Sequence, residues 1–256
     1  MPTALITGAS SGIGREFADQ LAAMGHDLVI VARRDDALQQ VKAEIETAAG
    51  VSVEVLPADL ADRTQLQRVA DRASDADRPI DVLVNNAGFG LAKPFLDNPV
   101  EDEERLLDVL VRATLVLSHA AGTAMRERKG GRIINVSSVA GWMASGTYAA
   151  AKSWVTVFSE SLAGQLAGTG VTVTAVCPGF VHTDFHSAGD IDRSSTPGFM
   201  WVPLKDVVSQ GLAAAEQGKT ICVPGTQYKV LTTLLRAAPR PLIRSRRIAS
   251  THRNQE

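Results

Sequence analysis

Tyr148 and Lys152 are the residues whose types and spacing most clearly suggest chemistry in this chain. Four positions apart on a helix, they share one face, a turn from each other. A free phenol has a pKa of about 10, too high for ready proton exchange at neutral pH. A neighbouring ammonium favours the phenolate, and bringing the pKa into the neutral range asks for roughly 4 kcal/mol of differential stabilisation. A partly desolvated cleft can supply that much, which would make Tyr148 a general acid and base. Upstream, the apolar run Ile134-Asn135-Val136 leads into Ser137-Ser138. Strand alternation sends the two serines to opposite sides, so one of them is placed to polarise a substrate oxygen.

A second constellation lies at the start of the chain. Thr7-Gly8-Ala9-Ser10-Ser11-Gly12-Ile13-Gly14 joins a strand pattern to a helix pattern. Glycines at such a junction allow a tight turn and close backbone approach, and the N–H groups of the helix start favour a pyrophosphate. The spacing is T-G-x-x-x-G-x-G, which differs from the G-x-G-x-x-G of ordinary dinucleotide-binding turns. His182, Asp184 and His186 also lie close together. Their loop spacing and the want of a clear fourth ligand argue against a metal, and none is expected.

The glycine spacing resembles that of the short-chain dehydrogenase/reductase family. Asn85-Asn86-Ala87-Gly88, Tyr148-Ala149-Ala150-Ala151-Lys152 and Pro178-Gly179 carry the same resemblance in the same order, over the chain from Thr3 to about Pro224. The resemblance implies an oxidoreductase that moves a hydride between nicotinamide and a carbonyl or secondary alcohol. Tyr148 would be the proton donor, Lys152 would also bond the nicotinamide ribose, and Ser138, just before Val-Ala-Gly, would be the chosen serine. The dinucleotide would lie on Gly8, Ser10, Ser11, Gly12, Ile13 and Gly14, with Asp59 and Leu60 at its adenine. Asn86, Ala87 and Gly88 would line its ribose side. Pro178, Gly179, Val181 and Thr183 would border the nicotinamide, the last two holding its carboxamide. At the end of the second strand the chain reads Ala32-Arg33-Arg34, with no carboxylate until Asp35. An acidic residue there suits a bare ribose and a guanidinium suits a 2′-phosphate, so NADP(H) is expected over NAD(H).

Two departures from the family pattern stand out. Ser138 and Tyr148 are only ten positions apart, closer than is usual, which shortens the loop between them. Leu110 stands where many members carry an asparagine that helps hold a relay water near the lysine. Leu106, Leu110, Ala113 and Leu117 follow helical core spacing, so packing alone accounts for the leucine. These departures support an alternative reading, a non-catalytic dinucleotide-binding or scaffold protein, which the intact Ser138, Tyr148 and Lys152 oppose.

The elements that must position these residues are legible as an alternation. Apolar runs at 3–7, 27–32, 51–56, 81–85, 132–137, 171–176 and 220–223 read as strands. Helical spacing occupies 15–24, 35–49, 64–73, 101–125 and 148–166, with Gly25 and Gly50 where C-caps belong. The pattern predicts an α/β fold: a doubly wound, Rossmann-type, seven-stranded parallel sheet with helices on both faces, in one domain over 1–256. Residues 181–203 form a long insertion read as a substrate loop, where Phe185, Phe199, Met200 and Trp201 hint at an apolar substrate. Residues 236–256 carry six arginines and read as a solvated basic tail, with peripheral membrane contact the less favoured reading. A net charge of -2 argues against nucleic acid as a partner. Cys177 and Cys222 read as buried thiols, and no stretch reads as a signal or a membrane span, so a cytoplasmic protein is expected. The resemblance implies a homodimer or homotetramer paired through the helices at 101–125 and 148–166, which carry Leu107, Val111, Trp154 and Phe158 beyond what one buried face requires.

Overall fold

Short β-branched runs build the centre of the molecule. In the computed structural model, which describes residues 1–182 and 197–237, they are β1 (Thr3–Thr7), β2 (Asp27–Ala32), β3 (Val53–Pro57), β4 (Val82–Asn85), β5 (Gly131–Val136), β6 (Val171–Val176) and β9 (Ile221–Cys222). They pair in parallel in the order β3-β2-β1-β4-β5-β6-β9. Alternate residues of each strand serve opposite faces. On one face Ala4, Ile6, Leu28 and Ile30 meet Phe17 and Leu21 of α1 (Gly12–Ala23), Leu38 and Ile45 of α2 (Asp35–Ala49), and Val208 of α7 (Leu204–Glu216). On the other, Leu5, Val29 and Leu83 meet Leu66 and Val69 of α3 (Arg63–Ala73) and Leu117 and Met125 of α5 (Ala113–Glu127). This is the expected seven-stranded doubly wound fold. Strand order reverses between β1 and β4, so a crevice opens beyond their carboxyl ends.

Local signals account for the boundaries. Gly50 ends α2 in the left-handed region at φ 69°, and Gly25 does the same just past α1 at φ 82°. Asp62 caps α3 by accepting the Gln65 N–H at 2.8 Å.

Three features differ from the sequence expectation. The helix expected over 101–125 is a longer run with a break in its ladder: α4 (Val100–Leu107), a π turn (Asp108–Arg112), then α5. This run, Val100–Glu127, is long and apolar enough by composition to cross a membrane, although the sequence reading singled out no such stretch. Its apolar residues Leu106, Leu110, Leu117, Ala121 and Met125 are instead spent against the rest of the fold. A small ladder also forms where only a loop was expected, between β7 (Phe180–Val181) and β8 (Trp201–Val202). Last, helix α8 (Thr226–Ala237), for which the sequence pattern gave no expectation, runs into the first two residues of the expected tail. Thr183, Asp184, Phe185, His186 and residues 238–256 lie outside the described residues.

Candidate active site

The Tyr148-Lys152 pair sits in the first turns of α6 (Gly146–Gln165), where the spacing put it on one face. Lys152 is 5% exposed, and its Nζ donates to the Val136 carbonyl at 2.8 Å and lies 5.7 Å from the centre of the Tyr148 ring. Burial pulls the ammonium down to about 8, weakly opposed by the Cys177 sulfur. Tyr148 is pushed the other way, up to about 12, by burial, while a hydrogen bond with Ser138 works to lower it. The low phenol pKa anticipated from a neighbouring ammonium is therefore not what the protein alone provides. Lys152 spends its charge on a backbone carbonyl, and desolvation dominates at Tyr148.

The two serines separate as alternation requires. Ser137 is 2% exposed, donates to the Lys152 carbonyl at 2.7 Å and lies 2.8 Å from Thr156 Oγ1. It braces α6 against β5. Ser138 turns to the other side, caps the single turn Val139–Trp142 through the Ala140 N–H at 3.1 Å, and shares its hydroxyl with Tyr148. The short loop between Ser138 and Tyr148 thus still brings the pair together.

Leu110 lies in the π turn, 1% exposed, in an apolar cluster with Leu106 and Ala151 that Tyr148, Phe89 and Val109 border. Gly88 faces it, since a Cβ there would lie 3.5 Å from Leu110 Cδ1. A leucine is what this packing asks for. π turns inside α-helices recur at functional sites, and this one lies under the tyrosine.

The glycine-rich turn meets β4 at the strand-order reversal. Asn86 Nδ2 donates to the Thr7 carbonyl at 2.9 Å and the Gly8 carbonyl at 3.3 Å, and the Asn86 and Ala87 N–H groups donate to Thr7 Oγ1 at 2.9 and 3.0 Å. Gly8 has φ 68°, and a Cβ on it would press on Ala87; one on Gly14 would collide with the Gly8 carbonyl and Asn86 Nδ2. Ser11 precedes α1 without a side-chain cap bond, so the helix's first N–H groups are not met by its hydroxyl. Ser10, Gly12 and Ile13 are half-buried on the same turn. A cradle that tolerates no Cβ and an uncapped helix start together fit a diphosphate.

The residues expected at the adenosine end lie just past β2 and β3. Arg33 and Arg34 are both exposed just past β2, and Arg34 precedes α2, whose first turn holds Asp35 and Asp36. Asp59 accepts from Arg105 Nη2 at 2.6 Å and from the Ala61 N–H at 3.0 Å. Burial works against its charge, but the Arg105 and Ala61 bonds and the charges of Arg105 and Arg33 outweigh it and hold the carboxyl below its usual range. Leu60 is packed in the core with 5% exposed, which leaves its backbone for any contact. At the opposite end Pro178 is buried, with its carbonyl accepting the Val139 N–H at 3.0 Å; Gly179 is half-buried, and Val181 is 3% exposed.

Sequence reasoning passed over the polar support beneath this site. Asn85 Nδ2 donates to Ser118 Oγ at 3.0 Å and Asn135 Oδ1 at 2.9 Å, and Asn135 Nδ2 donates to Ser159 Oγ at 2.9 Å. These side chains, all buried, tie β4 and β5 to α5 and α6. An asparagine inside the apolar run of β5 was the available signal, since a buried amide needs partners. Among the described residues no group of three or more His, Cys, Asp or Glu could hold a metal.

The family model for short chain dehydrogenases matches residues 2–193. A 3-oxoacyl-[acyl-carrier-protein] reductase from Synechocystis sp. is 37% identical over 205 residues, 78% of this chain and 81% of its own. A short-chain dehydrogenase from Sphingobium yanoikuyae, solved in complex with NADPH, superimposes with a TM-score of 0.86 at 31% identity over 95% of both chains. A relative from Burkholderia phymatum, solved in complex with NAD, gives a TM-score of 0.80 at 25% identity over 91% of this chain and 92% of its own. With its glycine turn, its half-buried Tyr148 beside a buried Lys152 and this match over three-quarters of its length, the chain belongs to the short-chain dehydrogenase/reductase family of oxidoreductases.

Proposed function

We propose that this protein is an NADP(H)-dependent carbonyl reductase or alcohol dehydrogenase that uses Tyr148 as its general acid and base. The observation that carries the reading is the Ser138 hydroxyl shared with Tyr148 above a buried Lys152. The dinucleotide would rest on Gly8, Ser10, Ser11, Gly12, Ile13 and Gly14, on Asn86, Ala87 and Gly88, on the backbone at Asp59 and Leu60, and on Pro178, Gly179 and Val181. Thr183 completes that set by sequence alone. When bound, the nicotinamide supplies the hydride. NADP(H) is favoured by two exposed guanidinium groups past β2, where NAD(H) would favour a carboxylate, and by the NADPH-bound relative. The NAD-bound relative shows that the fold itself does not decide the matter.

The protein's own part is proton transfer. Ser138 Oγ orients the substrate oxygen beside Tyr148 Oη. In the reductive direction Tyr148 must arrive protonated, which a phenol pKa raised by desolvation supports. As the carbonyl oxygen gains negative charge it becomes the stronger base and takes the Oη proton. The Lys152 ammonium, fixed by the Val136 carbonyl, then offsets the charge left on the phenolate. Lys152 is also assigned to the nicotinamide ribose. The substrate is a small carbonyl or alcohol compound. Calorimetric titration with NADPH and NADH tests the cofactor assignment: tighter NADPH binding is expected, and tighter NADH binding would overturn it.

A further inference from the structure

Tyr228, in the first turn of α8, belongs to none of the motifs above, yet it is 1% exposed and reaches the strap that leaves β6. Its ring occupies the space over Gly179, where a Cβ would collide with ring carbons Cζ, Cε1 and Cε2. Its hydroxyl accepts the Phe180 N–H at 2.9 Å and donates to the Met200 carbonyl at 2.7 Å. Phe180 and Trp201 are paired in the β7-β8 ladder, so one hydroxyl ties the first residue of β7 to the residue just before β8. The same strap is joined to the serine turn, because Pro178 accepts the Val139 N–H at 3.0 Å. α8 also packs against the turn Val139–Trp142.

We infer that Tyr228 is a positioning residue, which sets the backbone of 178–181 so that the nicotinamide end of the dinucleotide is held in register with Ser138. This rests on the dinucleotide-dependent reading above. It also assigns the glycine of Pro178-Gly179 a reason inside the protein: Gly179 is small to admit the Tyr228 ring. Burial raises the phenol's pKa, so the hydroxyl keeps the proton it donates to Met200 throughout the neutral range. Without the hydroxyl, a half-buried N–H and a half-buried carbonyl lose their shared partner and the strap loses its register.

The position of Tyr228 at one end of the cofactor makes the inference separable from a general structural role. Tyr228→Phe keeps the ring on Gly179 and removes only the hydroxyl. NADPH affinity should fall about tenfold, while 2′,5′-ADP, which lacks the nicotinamide, should bind as to the wild type. Equal weakening of both ligands, or no change in either, would overturn the proposal. A second measurement needs no variant: exchange at the Phe180 amide should slow on NADPH but not on 2′,5′-ADP. Equal slowing by both, or by neither, would also overturn it. A wild-type protein that binds neither ligand would instead defeat the dinucleotide reading.

Discussion

At the scale of single residues, the two proton-bearing groups of the site are displaced in opposite directions by one cause. Burial disfavours charge, so it lowers Lys152 to about 8 and raises Tyr148 to about 12. The sign follows for activity. Below about 8 both groups hold their protons, and as pH rises through about 8 the ammonium is lost while the phenol stays intact. Carbonyl reduction should therefore decline with an apparent pKa near 8, and Lys152→Arg, whose charge persists, should remove that inflection from the kcat/KM profile. A wild-type profile that stays flat to pH 10 would contradict the assignment. The same displacement acts on folding. A lysine lowered from 10.5 to about 8 makes the folded state costlier at low pH, and that cost is relieved as pH rises between the two values. At the cofactor end, Arg33→Ala should weaken NADPH binding and leave NADH nearly unaffected, measured by titration. Equal losses for both dinucleotides would mean that Arg33 does not read the 2′-phosphate.

At the scale of elements, what could be read in advance was what repeats. The strands of β1, β2 and β6 and the helix α2 fall where apolar periodicity and the caps Gly25 and Gly50 put them. The site motifs were legible because each sits where an element begins or ends. The π turn was not, since one extra residue in a helical ladder leaves hydrophobic spacing almost unchanged. The β7-β8 ladder was not legible either: two residues on each strand are too few for a period, and the two strands lie at opposite ends of the long insertion. Tyr228 escaped notice for a related reason, because its role depends on a glycine 49 positions away (228 minus 179). Leu110 shows how a motif departure becomes intelligible through packing. Leu110→Asn should lower stability by about 1–3 kcal/mol, because it places an amide among Leu106, Ala151 and the Tyr148 ring. Chemical denaturation measures this, and an unchanged or higher midpoint would show room for a polar group that the packing denies.

At the scale of the whole molecule, the apolar surface is unevenly distributed. Leu107, Leu115 and Val157 are 41%, 45% and 61% exposed, on α4, α5 and α6, and Trp154 stacks on Phe158 beside Val157 at 4.7 Å. We propose that these helices pair with a second copy, as the sequence suggested. Light scattering at micromolar concentration should give a dimer or tetramer mass, and Val157→Glu should reduce it; a monomeric wild type would refute the pairing. None of this decides whether the fold does chemistry, and that question turns on one hydroxyl. Tyr148→Phe preserves the ring against Leu110 and removes the proposed proton donor. Following NADPH absorbance with a panel of ketones and aldehydes, the wild type should turn over at least one of them. Tyr148→Phe should lose turnover by several powers of ten while binding NADPH almost as tightly. A Tyr148→Phe protein that reduces the same substrate at near the wild-type rate would contradict the account.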